Sequence, residues 1–182
     1  VQCAADIPPV NTAAVTASDD CDPAPVMTHM GDVSDGNSCP EVITRTYRAT
    51  DASGNWAECT QTITIDDTVD PVITCPADLT ISCEESTDPT NTGTATATDN
   101  CTATPAVTYS DTEVAGACAQ EKVITRTWTV TDDCDNSAQC VQTITVEDNT
   151  APVITCPDDL TVDCNAPTDP SNTGTATATD NC

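Results

Sequence analysis

The chain has 182 residues and carries 30 Asp and Glu against four Lys and Arg, which gives a net charge of -26. A surface this acidic repels nucleic-acid phosphates and anionic membranes, and no apolar run approaches the ~20 residues of a membrane span, so neither nucleic acid nor direct membrane insertion is expected. Aromatic residues make up only 2% of the chain, so the core is thin, and 13 cysteines favour disulfide stapling in an oxidising compartment.

The sequence repeats itself with a period of 80 to 81 residues, beginning with its first residues. Residues 1–3 and 11–21 match the segments that end at Cys83 and Cys101, and the longer matches are 42–65 with 123–146, 71–83 with 152–164, and 91–101 with 172–182. The period predicts three parts: a first repeat at 1–68 that lacks its first strand, a complete repeat at 69–149, and the start of a third repeat at 150–182.

The pattern within a repeat is typical of β-strands. Residues 123–131 and 138–147 alternate β-branched or aromatic residues with polar ones, and the stretch between them, rich in Asp and Asn, predicts a hairpin turn. Residues 94–98 alternate Thr with Ala, which predicts a strand with a small-residue face. No window predicts a helix. The sequence therefore predicts an all-β fold of tandem β-sandwich repeats, each of about 80 residues.

Four motifs resemble the hyalin-repeat (HYR and HYR-like) family. They are the Pro-Val-Ile-Thr-Cys-Pro start at 71–76, the Thr-Asp-Ala-Ser-Gly-Asn turn at 50–55, the cysteine shortly after that turn, and the Asp-Asn-Thr-Ala-Pro linker at 148–152. The resemblance covers essentially the whole chain. It implies immunoglobulin-like sandwiches in extracellular, adhesion-type surface proteins, often bacterial when Cys and Thr are abundant, and it implies no catalytic activity.

The cysteine pairing that we expect follows from the poles of a sandwich of this kind. Cysteines near the same pole should bond, and the first bond agrees with the cysteine pair of the resembled family. The expected bonds are Cys75–Cys140, Cys83–Cys118, Cys101–Cys134 and, in the first repeat, Cys3–Cys39. Short-range bonds are the alternative. Eight residues of strand separate Cys75 from Cys83 too widely for a bond, whereas a turn between Cys134 and Cys140 leaves that bond open.

Some cysteines then lack a partner. Ser53 stands where the second repeat has Cys134, so Cys21 is either a buried small hydrophobe or a cross-link. The cysteine expected to bond Cys59 lies on the first strand of the repeat, which would precede residue 1. Alternatively, a neighbouring chain adds its own strand to the first repeat, and Cys156 of that strand bonds Cys59. The candidates for bonds to another chain are Cys21, Cys59, Cys156 and Cys182.

Acidic and amide side chains cluster at the expected junctions between repeats. Their oxygens suit Ca²⁺, which takes six to eight hard ligands, and a cation there would neutralise repulsion and stiffen the junction. Asp and Asn also favour turns, so turn chemistry is the alternative. The candidate calcium ligands are Asp66, Asp67, Asp70, Asp99, Asn100, Asp132, Asp133, Asp135 and Asn136 at the first junction, and Glu147, Asp148, Asn149, Asp180 and Asn181 at the second.

An enzyme is not expected. His29 is the only histidine and has no nucleophile beside it, and with no CxxC pair it does not complete a zinc site. Trp128 is expected in the core, whereas Trp56 follows a turn and is a candidate for exposure. The predicted function is structural: an extracellular or cell-surface fibre, stalk or matrix filament whose partners are copies of itself or further repeats. The alternative is an adhesin that binds a glycan or protein receptor through its loops.

Overall fold

The computed structural model describes residues 1–118 and 120–182. Most of these residues form β-strands, so the prediction of an all-β fold is confirmed at that level. The strands of the described residues are β1 (Val26–Ser34), β2 (Glu41–Thr50), β3 (Trp56–Ile65), β4 (Val72–Thr74), β5 (Leu79–Ser82), β6 (Thr96–Thr98), β7 (Ala106–Ala115), β8 (Lys122–Thr131), β9 (Ser137–Glu147), β10 (Val153–Thr155) and β11 (Thr177–Thr179).

Short helical turns interrupt the strands, so the expectation of no helix is wrong in detail. They are α1 (Pro89–Thr92), α2 (Pro170–Thr173) and two 3-10 turns at Ala4–Asp6 and Thr12–Ala14. Proline at the first helical position starts α1 and α2, because its fixed φ suits a helix and its missing N–H would be unpaired there. Each of the two helices ends after four residues at a glycine with positive φ, Gly93 or Gly174.

The strands form four sheets. β1, β2 and β3 make an antiparallel sheet, and β5, β9, β8 and β7 make a second one in that order, in which β5 runs parallel to β9. β4 pairs with β6 and β10 with β11, both antiparallel. The stretch from Cys75 to Cys83, expected as one strand, therefore contains only the short β5, and β4 before it lies in a different sheet. Pro76 lies between them and has no N–H to continue a ladder.

The chain divides into two compact units whose limits differ from those of the predicted repeats. Unit 1 contains Val1–Thr74, Ala95–Tyr109 and Trp128–Cys140. Unit 2 contains Cys75–Thr94, Ser110–Thr127 and Val141–Cys182. Each unit thus combines residues of neighbouring sequence repeats.

Each unit has a small aliphatic core. In unit 1 it consists of Ile43, Ile63 and Ile65, with Ile7 packed against them. In unit 2 it consists of Ile81, Ile124, Ile144 and Val146, with Leu79 and Cys83 at its edge. Alternate residues of the strands point inward, as the two-residue period predicts. Full burial of one such side chain contributes ~1.5–3 kcal/mol, so these cores need support from other interactions.

A buried arginine extends each core, at the same place in the repeated Val-Ile-Thr-Arg-Thr motif. In unit 1, Arg45 forms a two-pronged ion pair with Asp32 and donates to the Pro8 carbonyl at 2.8 Å. The Arg45 guanidinium, with a smaller contribution from His29, lowers the pKa of Asp32 to about 2. His29 Nε2 donates a 2.8 Å hydrogen bond to that same carboxylate, so it is a structural residue of the strand.

The equivalent arginine of unit 2 has more partners. Arg126, which is 1% exposed, binds both carboxylate oxygens of Asp111 at 2.8 Å and donates to the Thr92 hydroxyl and the Thr87 carbonyl, also at 2.8 Å. It therefore ties β8 to β7 and to α1. Neither arginine was singled out from the sequence, although both occupy inward-facing positions of a strand.

The two tryptophans follow the expectation from the sequence. Tyr47 and Trp128 occupy equivalent inward positions and are buried, whereas Trp56 is 58% exposed. The Arg48 guanidinium lies 4.2 Å from the centre of the Trp56 ring, and Arg48 also pairs with Glu58. Trp56 therefore belongs to a surface cluster at the start of β3.

Candidate functional site at the repeat junctions

Two disulfides join the first repeat to the second, both within unit 1. Cys3 bonds to Cys101 and Cys39 bonds to Cys134, with Cα–Cα distances of 5.2 and 5.3 Å that are ordinary for cystines. The predicted Cys3–Cys39 and Cys101–Cys134 bonds are therefore wrong. Each of these four cysteines bonds across the junction and not within its own repeat.

Pairing along β3 explains the position of Cys3. The Val1 backbone nitrogen donates to the Thr64 carbonyl at 2.9 Å, and the Asp66 N–H donates to the Val1 carbonyl at 3.0 Å. The Gln2 side chain accepts from the Thr68 N–H at 3.0 Å and donates to the Thr68 hydroxyl at 3.2 Å. Residues 1–3 therefore run beside the linker into the second repeat, and Cys3 reaches the cysteine there. Gln2 was not identified as a junction residue from the sequence, because it has neither a carboxylate nor a thiol group.

The second junction, within unit 2, repeats this arrangement. Cys83 follows β5, which lies parallel to the end of β9, and its N–H donates to the Glu147 carbonyl at 3.1 Å. Cys83 bonds to Cys182 of the third repeat, with a Cα–Cα distance of 6.3 Å. The predicted Cys83–Cys118 bond is wrong, and Cys182 is not available for the bond to another chain that was predicted for it. The parallel β5–β9 pairing carries Cys83 to the next repeat.

The other cysteines fall into two groups. Cys75 and Cys140, which the sequence predicts to pair, are both disulfide-bonded. The unbonded cysteines of the described residues are all exposed: Cys21, Cys59, Cys118, Cys156 and Cys164. The alternative bonds Cys75–Cys83 and Cys134–Cys140 are excluded, because Cys83 and Cys134 bond elsewhere. Exposure also removes the interpretation of Cys21 as a buried hydrophobe.

Asp67 lies at the centre of the first junction and is 4% exposed. Its Oδ1 accepts from the Val69 N–H at 3.1 Å and from the Asn100 side chain at 3.2 Å. Its backbone carbonyl accepts from the Asn136 side chain at 2.9 Å. Asp67, in the linker, thus binds both Asn100 and Asn136, which the sequence predicts to lie at this junction.

Two carboxylate oxygens at this junction have no hydrogen-bond partner. They are Asp67 Oδ2 and Asp99 Oδ1, and both are buried. A carboxylate oxygen of Asp67 and one of Asp99 lie within 4.8 Å of each other and of the Cys101 sulfur. That sulfur is in a disulfide and has no thiolate charge, so we count only the carboxylates as ligands. Buried unpaired charges of like sign are costly unless a cation lies between them.

Asp99 carries its charge at this site. Burial raises the pKa of its carboxyl, but the N–H groups of Thr102, Cys101 and Asn100 together lower it further, so the net pKa is below the usual value. Its Oδ2 accepts from Cys101 and Thr102, each at 2.8 Å, which leaves Oδ1 unpaired. The ionised form is the one that binds cations.

The hairpin acids of the predicted set are used differently. Asp132 Oδ1 accepts from the N–H groups of Cys134 and Asn136, and Oδ2 accepts from the Asn136 side chain at 2.8 Å. These bonds are those of a turn, which was the alternative interpretation. The remaining acids at this junction are exposed and lie at the surface of the linker and hairpin: Asp66, Asp70, Asp133 and Asp135.

At the second junction the equivalent groups recur. Asp180 Oδ1 accepts from the Cys182 N–H at 3.0 Å, as Asp99 does at the first junction, and Asn181 Oδ1 is buried without a partner. A carboxylate oxygen of Asp148, the equivalent of Asp67, lies within 4.8 Å of the bonded sulfurs of Cys83 and Cys182. Glu147 and Asn149 are exposed.

An open cleft of about 460 Å³ lies between the two disulfides of the first junction. Asp67 and Asp133 contribute to its lining, together with Gln2 and Glu41. Acidic and amide groups therefore face the space between the bonded loops.

Neither the protein-family models nor the curated proteins include a match to this chain. Among the described residues, no helix has the length and apolar character that crossing a membrane requires.

Proposed function

We propose that the chain is a structural extracellular protein in which immunoglobulin-like modules of the hyalin-repeat type form a surface fibre, stalk or matrix filament. The observation that carries the proposal is the position of the disulfides. Cys3–Cys101, Cys39–Cys134 and Cys83–Cys182 all join one sequence repeat to the next. Covalent bonds at every junction serve a molecule that must transmit load or hold a fixed spacing, and they serve no obvious purpose in catalysis.

The disulfides also support an extracellular location. Cystines persist in oxidising compartments and are rare where thiols are kept reduced. All four basic side chains are engaged in ion pairs, with Asp32, Glu58, Glu113 and Asp111, so the net charge of -26 has no internal compensation. Such a charge keeps an array soluble and repels other acidic surfaces.

Electron microscopy of the native protein tests this function. Negatively stained preparations should contain regular filaments or rods of constant width, and reduction of the disulfides should make them irregular. Isolated flexible strings without regular assembly would contradict the structural role and favour the second candidate, a receptor- or glycan-binding adhesin. The observation in favour of that candidate is the exposed Trp56, because exposed aromatic rings are typical contacts at binding surfaces.

Calcium at the junctions is part of the proposal. The two unpaired carboxylate oxygens of Asp67 and Asp99 support it, since they offer charged hard ligands at a buried position. Asn100 and the exposed linker acids would complete the shell together with water. The cation would supply charge neutralisation, which allows the acidic linker and loop to remain packed.

Calorimetry tests the calcium site. After chelation, addition of Ca²⁺ should give a binding heat and raise the melting temperature, and the stabilisation at a concentration 100 times the Kd should be about 2.7 kcal/mol. Asp67→Asn should abolish the effect of the first site, whereas Asp159→Asn, which changes an exposed acid outside both candidate sets, should leave it. Absence of heat and of any melting shift in the unaltered protein would exclude calcium.

A further inference from the structure

The junction bonds follow one positional rule. Cys3–Cys101 and Cys83–Cys182 span 98 and 99 residues, and they occupy equivalent places in consecutive repeats. In each, a strand-end cysteine of one repeat bonds the loop cysteine of the next. We call Cys83, which follows β5, and its sequence equivalents Cys3 and Cys164 the strand-end cysteines, and Cys21, Cys101 and Cys182 the loop cysteines.

The third bond runs in the same direction. Cys39 lies in the loop between β1 and β2 of the first repeat, and it bonds Cys134 in the hairpin between β8 and β9 of the second. The loop between β7 and β8 is the equivalent of the Cys39 loop one repeat later, and it carries Cys118. The rule therefore predicts that Cys118 bonds the hairpin cysteine of the repeat that follows.

We propose that Cys21, Cys118 and Cys164 are half-cystines of further junctions of this kind, each bonded to another repeat of the same type. Cys164 takes the loop cysteine of a following repeat, Cys118 takes a hairpin cysteine there, and Cys21 takes the strand-end cysteine of a preceding repeat. The inference rests on the proposed repeat array for its partners. It adds which thiols bond and in which direction.

The bonded and unbonded cysteines differ in how far they are buried. The six cysteines of the three junction bonds are half-buried, whereas Cys21, Cys118 and Cys164 are exposed. In unit 1, the bonded Cys39 and Cys134 line a cleft of about 460 Å³ together with Asp133. In unit 2, residues flanking Cys118, including Ala115 and Glu121, line a wider cleft of about 800 Å³. Cys118 itself is exposed, so its thiol is accessible to a partner cysteine.

The bond-forming step is ordinary thiol–disulfide exchange. The Cys118 thiolate attacks one sulfur of a small oxidised disulfide such as glutathione disulfide and releases one glutathione. The partner thiolate then attacks the mixed disulfide, which forms the new cystine and releases the second glutathione. Two protons and two electrons leave the protein thiols, and the small disulfide accepts them.

The partner repeat has two sources, a further repeat of the same chain or a second copy. Ser53 distinguishes between them, because it stands at the hairpin position of the first repeat and has no thiol. The hairpin cysteine of a second copy is Cys134, which is already bonded to Cys39. A further repeat of the same chain, with a cysteine in its hairpin, is therefore the partner that we favour for Cys118.

Peptide mapping of the native protein tests the inference. Free thiols are alkylated with iodoacetamide under denaturing, non-reducing conditions, the protein is cleaved at acidic residues, and linked peptides are sequenced by mass spectrometry. Cys118 and Cys164 should resist alkylation, and their linked peptides should resemble 132–136 and 177–182. The 182-residue chain produced alone and oxidised with glutathione disulfide is the control, and both cysteines should be alkylated or glutathionylated in it.

The outcomes separate the inference from the function. A linked sequence that differs from those within 1–182 supports further repeats, and links between identical chains support the inference with a second copy as partner. Complete alkylation of Cys118 and Cys164 in native protein whose Cys83–Cys182 bond is intact would refute it. Regular filaments in that same preparation would leave the structural function standing without these bonds.

Discussion

Under stretching force, the oxidised protein should extend between residues 3 and 182 by no more than the length of the segment from Cys83 to Cys101. The bonds Cys3–Cys101 and Cys83–Cys182 overlap, so the covalent path runs through one bond, back along 18 residues, and out through the other. At 3.3–3.6 Å per residue that path is about 60 Å, whereas the open chain between the same residues would reach about 600 Å.

Single-molecule stretching with handles at the two termini measures this length before and after reduction. Reduction should lengthen the extended protein roughly tenfold, in the ratio of the two path lengths. The double variant Cys83→Ser/Cys182→Ser should give an intermediate length. Cys59→Ser, which removes an exposed unbonded thiol, should leave the limit unchanged. Extension of the oxidised protein to the full length would show that these two bonds are not formed.

The strands and the inward faces could be predicted from the sequence, because residue alternation reports which face of a strand is buried. Ile43 and Tyr47, and equally Ile124 and Trp128, lie on the face that the pattern assigns to the core. The pattern does not report which strand lies alongside. The parallel pairing of β5 with β9 and the break at Pro76 were therefore missed, and with them the position of Cys83.

The disulfide errors have the same origin. The spacing of 18 residues between strand-end and loop cysteines recurs in all three repeats, at Cys3 and Cys21, Cys83 and Cys101, and Cys164 and Cys182. Equal spacing shows that these cysteines are equivalent, but it fits bonds within a repeat as well as bonds between repeats. Only the backbone pairing next to Cys3 and Cys83 distinguishes the two, and that pairing joins residues more than 60 positions apart.

For the acidic residues, the sequence predicted where they gather but not how each is used. Asp67 and Asp132 each lie within two residues of a strand end, yet Asp132 is occupied by turn hydrogen bonds and Asp67 keeps a buried unpaired oxygen. Both residues are aspartates, so their intrinsic turn propensity is the same. The difference depends on which N–H groups approach each carboxylate, which is a property of the folded loops.

Replacement of Arg126 by Met should lower the free energy of unfolding by about 3 kcal/mol or more. Removing one partner of a buried ion pair leaves the other uncompensated, at a typical cost of ~3–5 kcal/mol. Asp111 is partly exposed, with 27% of its side chain accessible, so water recovers some of that cost. The Thr92 hydroxyl and the Thr87 carbonyl lose a donor at the same time, which adds to the loss.

Arg48→Met is the matched control, because it makes the same substitution at an ion pair whose two side chains are about one-third exposed. Exposed pairs contribute ~0–1 kcal/mol, so this variant should unfold close to the unaltered protein. Guanidinium chloride titration with the disulfides intact measures both. The double variant Arg126→Met/Asp111→Met should recover part of the loss, since it removes the uncompensated carboxylate but not the unpaired carbonyl. Equal losses for Arg126→Met and Arg48→Met would mean that burial of the arginine adds nothing to its contribution to stability.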